Sequence, residues 1–138
     1  MVSLFDAKKN KGFTLVELLV VIAIVGILAA LVLVSMVRTR QKGRDSNRSS
    51  DLRQISLSME MAYDDSQAYP TSIAMPATIA TADGTYMDAV PTDPQGGNYT
   101  WINNTGDDQT FCVGANLELA DFFICDPDGC RASAANCT

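Results

Sequence analysis

Hydrophobic and polar positions divide this chain into blocks. Residues 18–37 are apolar except for Ser35 and carry no charge. At about 1.5 Å per helical residue that run is about 30 Å long, enough to cross a bilayer. Residues 38–51 (RTRQKGRDSNRSSD) then contain no apolar side chain, a pattern that fits either disorder or a solvated bridging helix. Leu52, Ile55, Met59 and Ala62 recur at helical spacing, with Ser56 and Tyr63 flanking them. This stripe predicts a core-facing helix to about Asp65. A rod from Phe13 to Asp65 would be roughly 80 Å long. Pro70 ends it, because the residue before proline avoids helical torsions. Residues 71–97 read as loop, punctuated by Pro76, Asp83-Gly84, Pro91, Asp93-Pro94 and Gly96-Gly97. Strands are predicted over 99–102, 110–114 and 122–125, with 103–108 (NNTGDD) as a hairpin turn between the first two. Trp101, Phe111, Val113, Phe123 and Ile124 are the expected core contributors from this half. For Trp101, core packing is preferred over a ligand-platform role. The fold class is α+β: a long N-terminal helix, its first half transmembrane, packed on a small antiparallel sheet.

Length, 138 residues, bounds this to one small domain behind the apolar segment. Charge is unevenly placed. Nine of the ten Lys and Arg lie in the first 53 positions, and from Gln54 onward Arg131 faces twelve Asp and Glu. Such an acidic distal half argues against a broad nucleic-acid footprint there, which needs clustered cations. The chain has no histidine, which removes the commonest general base and metal ligand, so enzymatic function is not expected. Cys112, Cys125, Cys130 and Cys137 lie in the last 27 residues. Their spacing fits no paired zinc pattern and reads as two disulfides in an oxidising compartment. Cys112–Cys125 with Cys130–Cys137 is the preferred pairing, the first linking two adjacent strands and the second tying down the tail. Cys112–Cys137 with Cys125–Cys130 is its close rival. Asp126-Pro127-Asp128-Gly129 resembles the start of a calcium loop without the later ligands that loop requires. Asp121, Asp126 and Asp128 are the local candidates for calcium, and a surface turn pinned by cysteines is the preferred alternative. Glu17 stands out most. A carboxylate in hydrocarbon costs roughly 2.5–3.5 kcal/mol on insertion scales, so it needs a partner or a function.

Residues 11–32 (KGFTLVELLVVIAIVGILAALV) resemble the N-terminal signature of type IV pilins and of the pseudopilins of type II secretion. The resemblance is dense over 8–37: a short basic leader, Gly12, Phe13, Glu17 four residues later, then the apolar run. It continues through the polar helix, Tyr69-Pro70, and the stretch Val90-Pro91-Thr92-Asp93-Pro94 that leads into the sheet. It implies that a prepilin peptidase cuts after Gly12 and that the new Phe13 amine is methylated. Glu17 would then pair with the Phe13 amine of a neighbouring copy as subunits stack into a filament. The implied organisation is a leader (1–12), a transmembrane or filament-core helix (13–37), a helix extending into the head (38–65), and a β-rich disulfide-bearing head (66–138). A secretory signal peptide, with Lys8, Lys9 and Lys11 before the apolar run and Ala29-Ala30 near a cut, and an uncut anchor are the rivals. Both leave Glu17 unexplained.

Many pilins carry a helix-kinking proline where this chain has Val34, so a straighter helix is expected, and melting beside Gly26 on assembly is less certain. Lysines before the span and Arg38, Arg40, Lys42 and Arg44 after it leave the positive-inside rule tied. The cysteines and the motif place the head outside. The primary expectation is a subunit of a type IV pilus. The alternatives are a major pseudopilin of a type II secretion system, or a minor pilin acting as a tethered recognition module for adhesion or DNA uptake. Expected partners are further copies of the chain, the prepilin peptidase and the membrane assembly machinery, with no nucleic acid and no resident cofactor beyond the calcium candidate. The expected location is the cytoplasmic membrane for the precursor, with the mature form in an extracellular pilus or periplasmic pseudopilus.

Overall fold

A computed structural model describes residues 12–137; the leader positions Lys8, Lys9 and Lys11 lie outside them. The chain forms two compact units, Met1–Arg38 and Thr39–Thr138. Helix α1 covers Leu15–Ser66. Within the first unit its apolar side chains, from Leu15 to Val37, are all exposed. A water-facing helix of that kind has no folded partner for its surface, so it requires lipid or other protein to cover it.

The second unit buries what the first does not. Leu52, Ile55, Met59 and Ala62 fall on one face of α1 and are fully buried, as their spacing predicts. Leu52, Ile55 and Met59 pack with Tyr69, Ile79, Tyr99, Phe111, Val113, Ala115, Phe123 and Cys125. Each large aliphatic side chain so buried contributes about 1.5–3 kcal/mol. Tyrosine hydroxyls at the margin donate to carboxylates on the helix: Tyr99 to Asp51 at 2.6 Å, Tyr69 to Glu60 at 3.0 Å and Tyr86 to Asp65 at 2.8 Å. Burial, together with the Glu60 carboxylate, pushes the Tyr69 phenol up to about 12. The polar block 38–51 is helical, not disordered. Helix α1 ends one residue beyond the expected Asp65, where Gln67 takes a left-handed conformation (φ 56°) and donates its N–H to the Tyr63 carbonyl at 2.8 Å. That position usually holds glycine.

The sheet differs from expectation at three places. β1 (Ile79–Ala80) and β2 (Thr85–Met87) form a short antiparallel pair inside the stretch read as loop, with Asp83-Gly84 at its turn. Strands of two or three residues carry too little alternation to register as a pattern. β3 (Thr100–Trp101), β4 (Val113–Asn116), β5 (Phe122–Asp126) and β6 (Gly129–Ser133) make an antiparallel meander in that order. β4 begins three residues later than predicted. β6 was not anticipated, because Gly129-Cys130-Arg131-Ala132-Ser133 has no apolar face. It exists because a tight turn, with Gly129 at φ 113°, returns the chain along β5 in register from Phe122↔Ser133 to Asp126↔Gly129. Trp101 is only partly buried at the core margin, with its indole N–H donated to the Ser72 carbonyl at 3.1 Å. Ile124 is buried but on the opposite face from Phe123 and Cys125.

That alternation corrects the preferred cysteine pairing. Val113 is the cross-strand partner of Cys125, so Cys112, one residue earlier, faces the other side of the sheet. The bonds are Cys112–Cys137 and Cys125–Cys130. Cys125 and Cys130 are direct cross-strand partners with Cα atoms 4.1 Å apart. The tail instead lies over the outer face near Gly114 and Ile124. A Cβ at Gly114 would meet the Asn136 side-chain amide, which would have to shift to admit any larger residue there.

Candidate functional site

Gly12, Phe13 and Thr14 precede α1 in non-helical, exposed backbone, which leaves the Gly12–Phe13 bond open to a protease. The helix start has a specific local design. The Glu17 carboxylate accepts from the Thr14 N–H at 2.9 Å and from the Thr14 hydroxyl at 2.8 Å. In return the Thr14 hydroxyl oxygen accepts from the Glu17 N–H at 3.2 Å. This is a reciprocal capping box, satisfying two backbone donors that a helix start otherwise leaves unpaired. An acidic group here also complements the helix dipole. Glu17 therefore has a role inside its own chain, which weakens the argument that an uncut anchor leaves it unexplained. Thr14-Leu15-Val16-Glu17 is a legible capping signature that sequence reasoning passed over in favour of the intermolecular amine.

A second constellation went unread altogether. Arg48 is 3 % exposed in the block judged polar on every face. Its guanidinium donates to Asp93 at 2.5 and 3.0 Å, to Asp45 at 2.8 Å, to Glu118 at 3.1 Å and to Gln95 at 3.2 Å, which uses all five of its N–H groups. Arg44 adds a bidentate pair to Glu118, both bonds at 2.6 Å. Asp45 also accepts from the backbone N–H groups of Glu118 and Leu119 at 2.8 and 3.0 Å. This clasp holds the loop carrying Asp93 and the β4–β5 connection onto α1. Hydrogen bonds from Arg48 hold the Asp93 carboxyl below its ordinary range, and Arg44 with Arg48 brings Glu118 down to about 2. The Arg48 guanidinium is held above its ordinary range by Asp93 and the other carboxylates. No apolar periodicity could reveal this; the only local hint is Asp45 and Arg48 spaced i, i+3. Asn104 is a smaller surprise. It is buried inside the predicted hairpin turn, accepting from the Ser72 N–H and donating to the carbonyls of Pro70 and Thr110.

The three candidate calcium ligands do not fit the ion. Asp121 precedes β5 and Asp126 ends it, so they lie about 16 Å apart along the strand. Arg131 occupies both Asp126 oxygens at 2.7 and 2.6 Å. Among the described residues no cluster of three acidic or cysteine side chains converges as a metal site.

Residues 7–37 match the model of the prokaryotic N-terminal methylation motif. That motif, opening a long helix whose outer half packs on a small antiparallel sheet, defines a protein of the type IV pilin-like class. Similarity to known proteins extends well past the motif. The chain is 31 % identical over 107 residues to type II secretion system core protein G of Aeromonas hydrophila, covering 70 % of this chain and 75 % of that protein. It is 32 % identical over 108 residues to the core protein G of Klebsiella michiganensis, with 70 % and 75 % covered. With the Klebsiella pneumoniae protein it shares 29 % over 133 residues, 88 % of each. The chain belongs to the type II secretion system core protein G family, a pseudopilin branch of the pilin-like proteins.

Proposed function

We propose that this chain is a structural subunit of a pseudopilus. A prepilin peptidase removes its leader after Gly12, the Phe13 amine is methylated, and the subunits polymerise through the apolar half of α1. Glu17 then exchanges its contact with Thr14 for the Phe13 amine of a neighbour. The precursor sits in the cytoplasmic membrane with its head outside, and the filament works with secretion machinery. One observation carries this choice within the class. The motif covers 31 residues, 7–37, and is common to pilins and pseudopilins, whereas the match to core protein G runs over 107 residues and into the head. A structural role also accords with the absence of histidine from the chain. The two disulfides fit either oxidising location, periplasm or cell surface, so a filament exposed on the cell surface stands as the second reading.

Intact mass and N-terminal sequencing of the membrane fraction, beside protein sheared from cells, test both readings. A methylated chain starting at Phe13 and confined to the membrane or periplasm supports the pseudopilus. The same chain recovered in sheared filaments supports a pilus. A start at Met1, or near Ala30, refutes processing at Gly12. In the same assay Glu17→Ala is expected to be processed normally and to yield no filaments; normal filaments refute the amine pairing.

A further inference from the structure

Four Asn-X-Ser/Thr triplets occur in the chain, beginning at Asn47, Asn98, Asn103 and Asn136. In an exported protein that triplet is the acceptor for an N-linked glycan, provided it lies on an accessible surface loop. The fold separates the four. Asn47 lies within α1, where residues two apart do not face each other, so the Ser49 hydroxyl cannot approach its carboxamide. Between them stands Arg48, buried in the clasp. Asn98 is followed by buried Tyr99, and the Thr100 hydroxyl already accepts from Asn136 at 2.9 Å. Asn136 uses its own amide for that bond, and its neighbour Cys137 is tied to Cys112.

Asn103 differs in each of these respects. Asn103 and Thr105 are both exposed, on the turn that leads from β3 towards β4. Asn103 Oδ1 accepts from the Thr105 N–H at 3.0 Å and from the Thr105 hydroxyl at 2.7 Å. The triplet is thus already folded so that hydroxyl and carboxamide meet. Among the described residues no hydrogen bond engages Asn103 Nδ2, the atom a glycan would be joined to. Asn104, only 3 % exposed, is held from beneath by Ser72, Pro70 and Thr110. This buried asparagine fixes the turn and leaves the one before it accessible.

We propose that Asn103 is an N-glycosylation site, with Thr105 as its positioning residue. The sugar donor is an oligosaccharide carried on a polyprenyl diphosphate in the membrane. Asn103 Nδ2 attacks the anomeric carbon of the donor. A C–N bond forms, the bond from that carbon to the diphosphate oxygen breaks, and the diphosphate leaves with the electron pair. The amide gives up one proton to a carboxylate of the transferase. The inference goes beyond the subunit reading and rests on it only for export of the head.

The test takes the chain from its own cells and measures its intact mass. The chymotryptic peptide 102–111 is then fragmented to locate any added mass. Expected is a chain that starts at Phe13 and carries a sugar mass on Asn103. Thr105→Ser is expected to keep the addition and Thr105→Ala to lose it completely, with similar urea midpoints showing that both variants fold. Asn98→Gln is expected to keep it. A mature chain with unmodified Asn103 overturns the site, as does sugar found instead on Asn98, Asn136 or a hydroxyl group. Retention of the addition in Thr105→Ala overturns the triplet as its basis. A chain that starts at Met1 and carries the sugar supports the site while refuting processing at Gly12, so the two readings fail separately.

Discussion

At the scale of single residues, Glu17 and Arg48 show how a charge is accommodated in two different ways. Glu17 is held by its immediate neighbour in sequence, through a capping box that any chain with Thr14 and Glu17 at this spacing can form. Arg48 is held by residues up to 70 positions away. Removing one partner of a buried charge cluster leaves the others uncompensated and commonly costs about 3–5 kcal/mol. Arg48→Met is therefore expected to destabilise the head by about that amount, measured by urea unfolding followed through Trp101, the chain's one tryptophan. A loss below about 1 kcal/mol would show the clasp to be no stronger than a surface ion pair.

At the scale of elements, the disulfides have unequal roles. Cys125–Cys130 joins adjacent strands across five residues, while Cys112–Cys137 spans 25 and straps the tail over the outer face of the sheet. On the chain-entropy model the longer loop stabilises by about 3.5 kcal/mol and the shorter by about 2 kcal/mol. The Cys112→Ser/Cys137→Ser pair should consequently lower the unfolding midpoint more than Cys125→Ser/Cys130→Ser, by thermal or urea denaturation. The reverse order would mean that the β5–β6 turn depends on its cross-link more than the tail does. The helix itself was legible: Leu52, Ile55, Met59 and Ala62 announced the buried face by spacing alone. β1, β2 and β6 were not: the first two are only two and three residues long, β6 has no apolar face, and all take their strand character from the partner they pair with.

At the scale of the whole molecule, charge placement links stability to pH. Asp93 and Glu118 have folded-state pKa values below their ordinary ones because Arg48 and Arg44 donate to their charged forms. Their contribution is thus complete above the unfolded values. For Glu118 it is lost as pH falls from about 4.5 towards about 2. Wild type should show a falling urea midpoint across that window, and the Arg44→Met/Arg48→Met double variant, which removes both donors to Glu118, should flatten the dependence. Equal pH slopes in the two proteins would place the titration elsewhere.

The sequence by itself determined what depends on near neighbours or on period. It specified the membrane-length apolar run, the buried stripe of α1, the turn-rich acidic head and the motif that marks the family. Each of these rests on contacts within a few residues or on a face defined by helical geometry. Tertiary structure alone decided the cysteine pairing, the burial of Arg48, the place of Asn104 and the sixth strand. Cys112 was separated from Cys125 by which side of the sheet each occupies, a choice made by strand register. Arg48 became an interior group only when the Asp93 loop and the β4–β5 connection closed over it. Those outcomes depend on which distant segments meet, and no local pattern of residues carries that information.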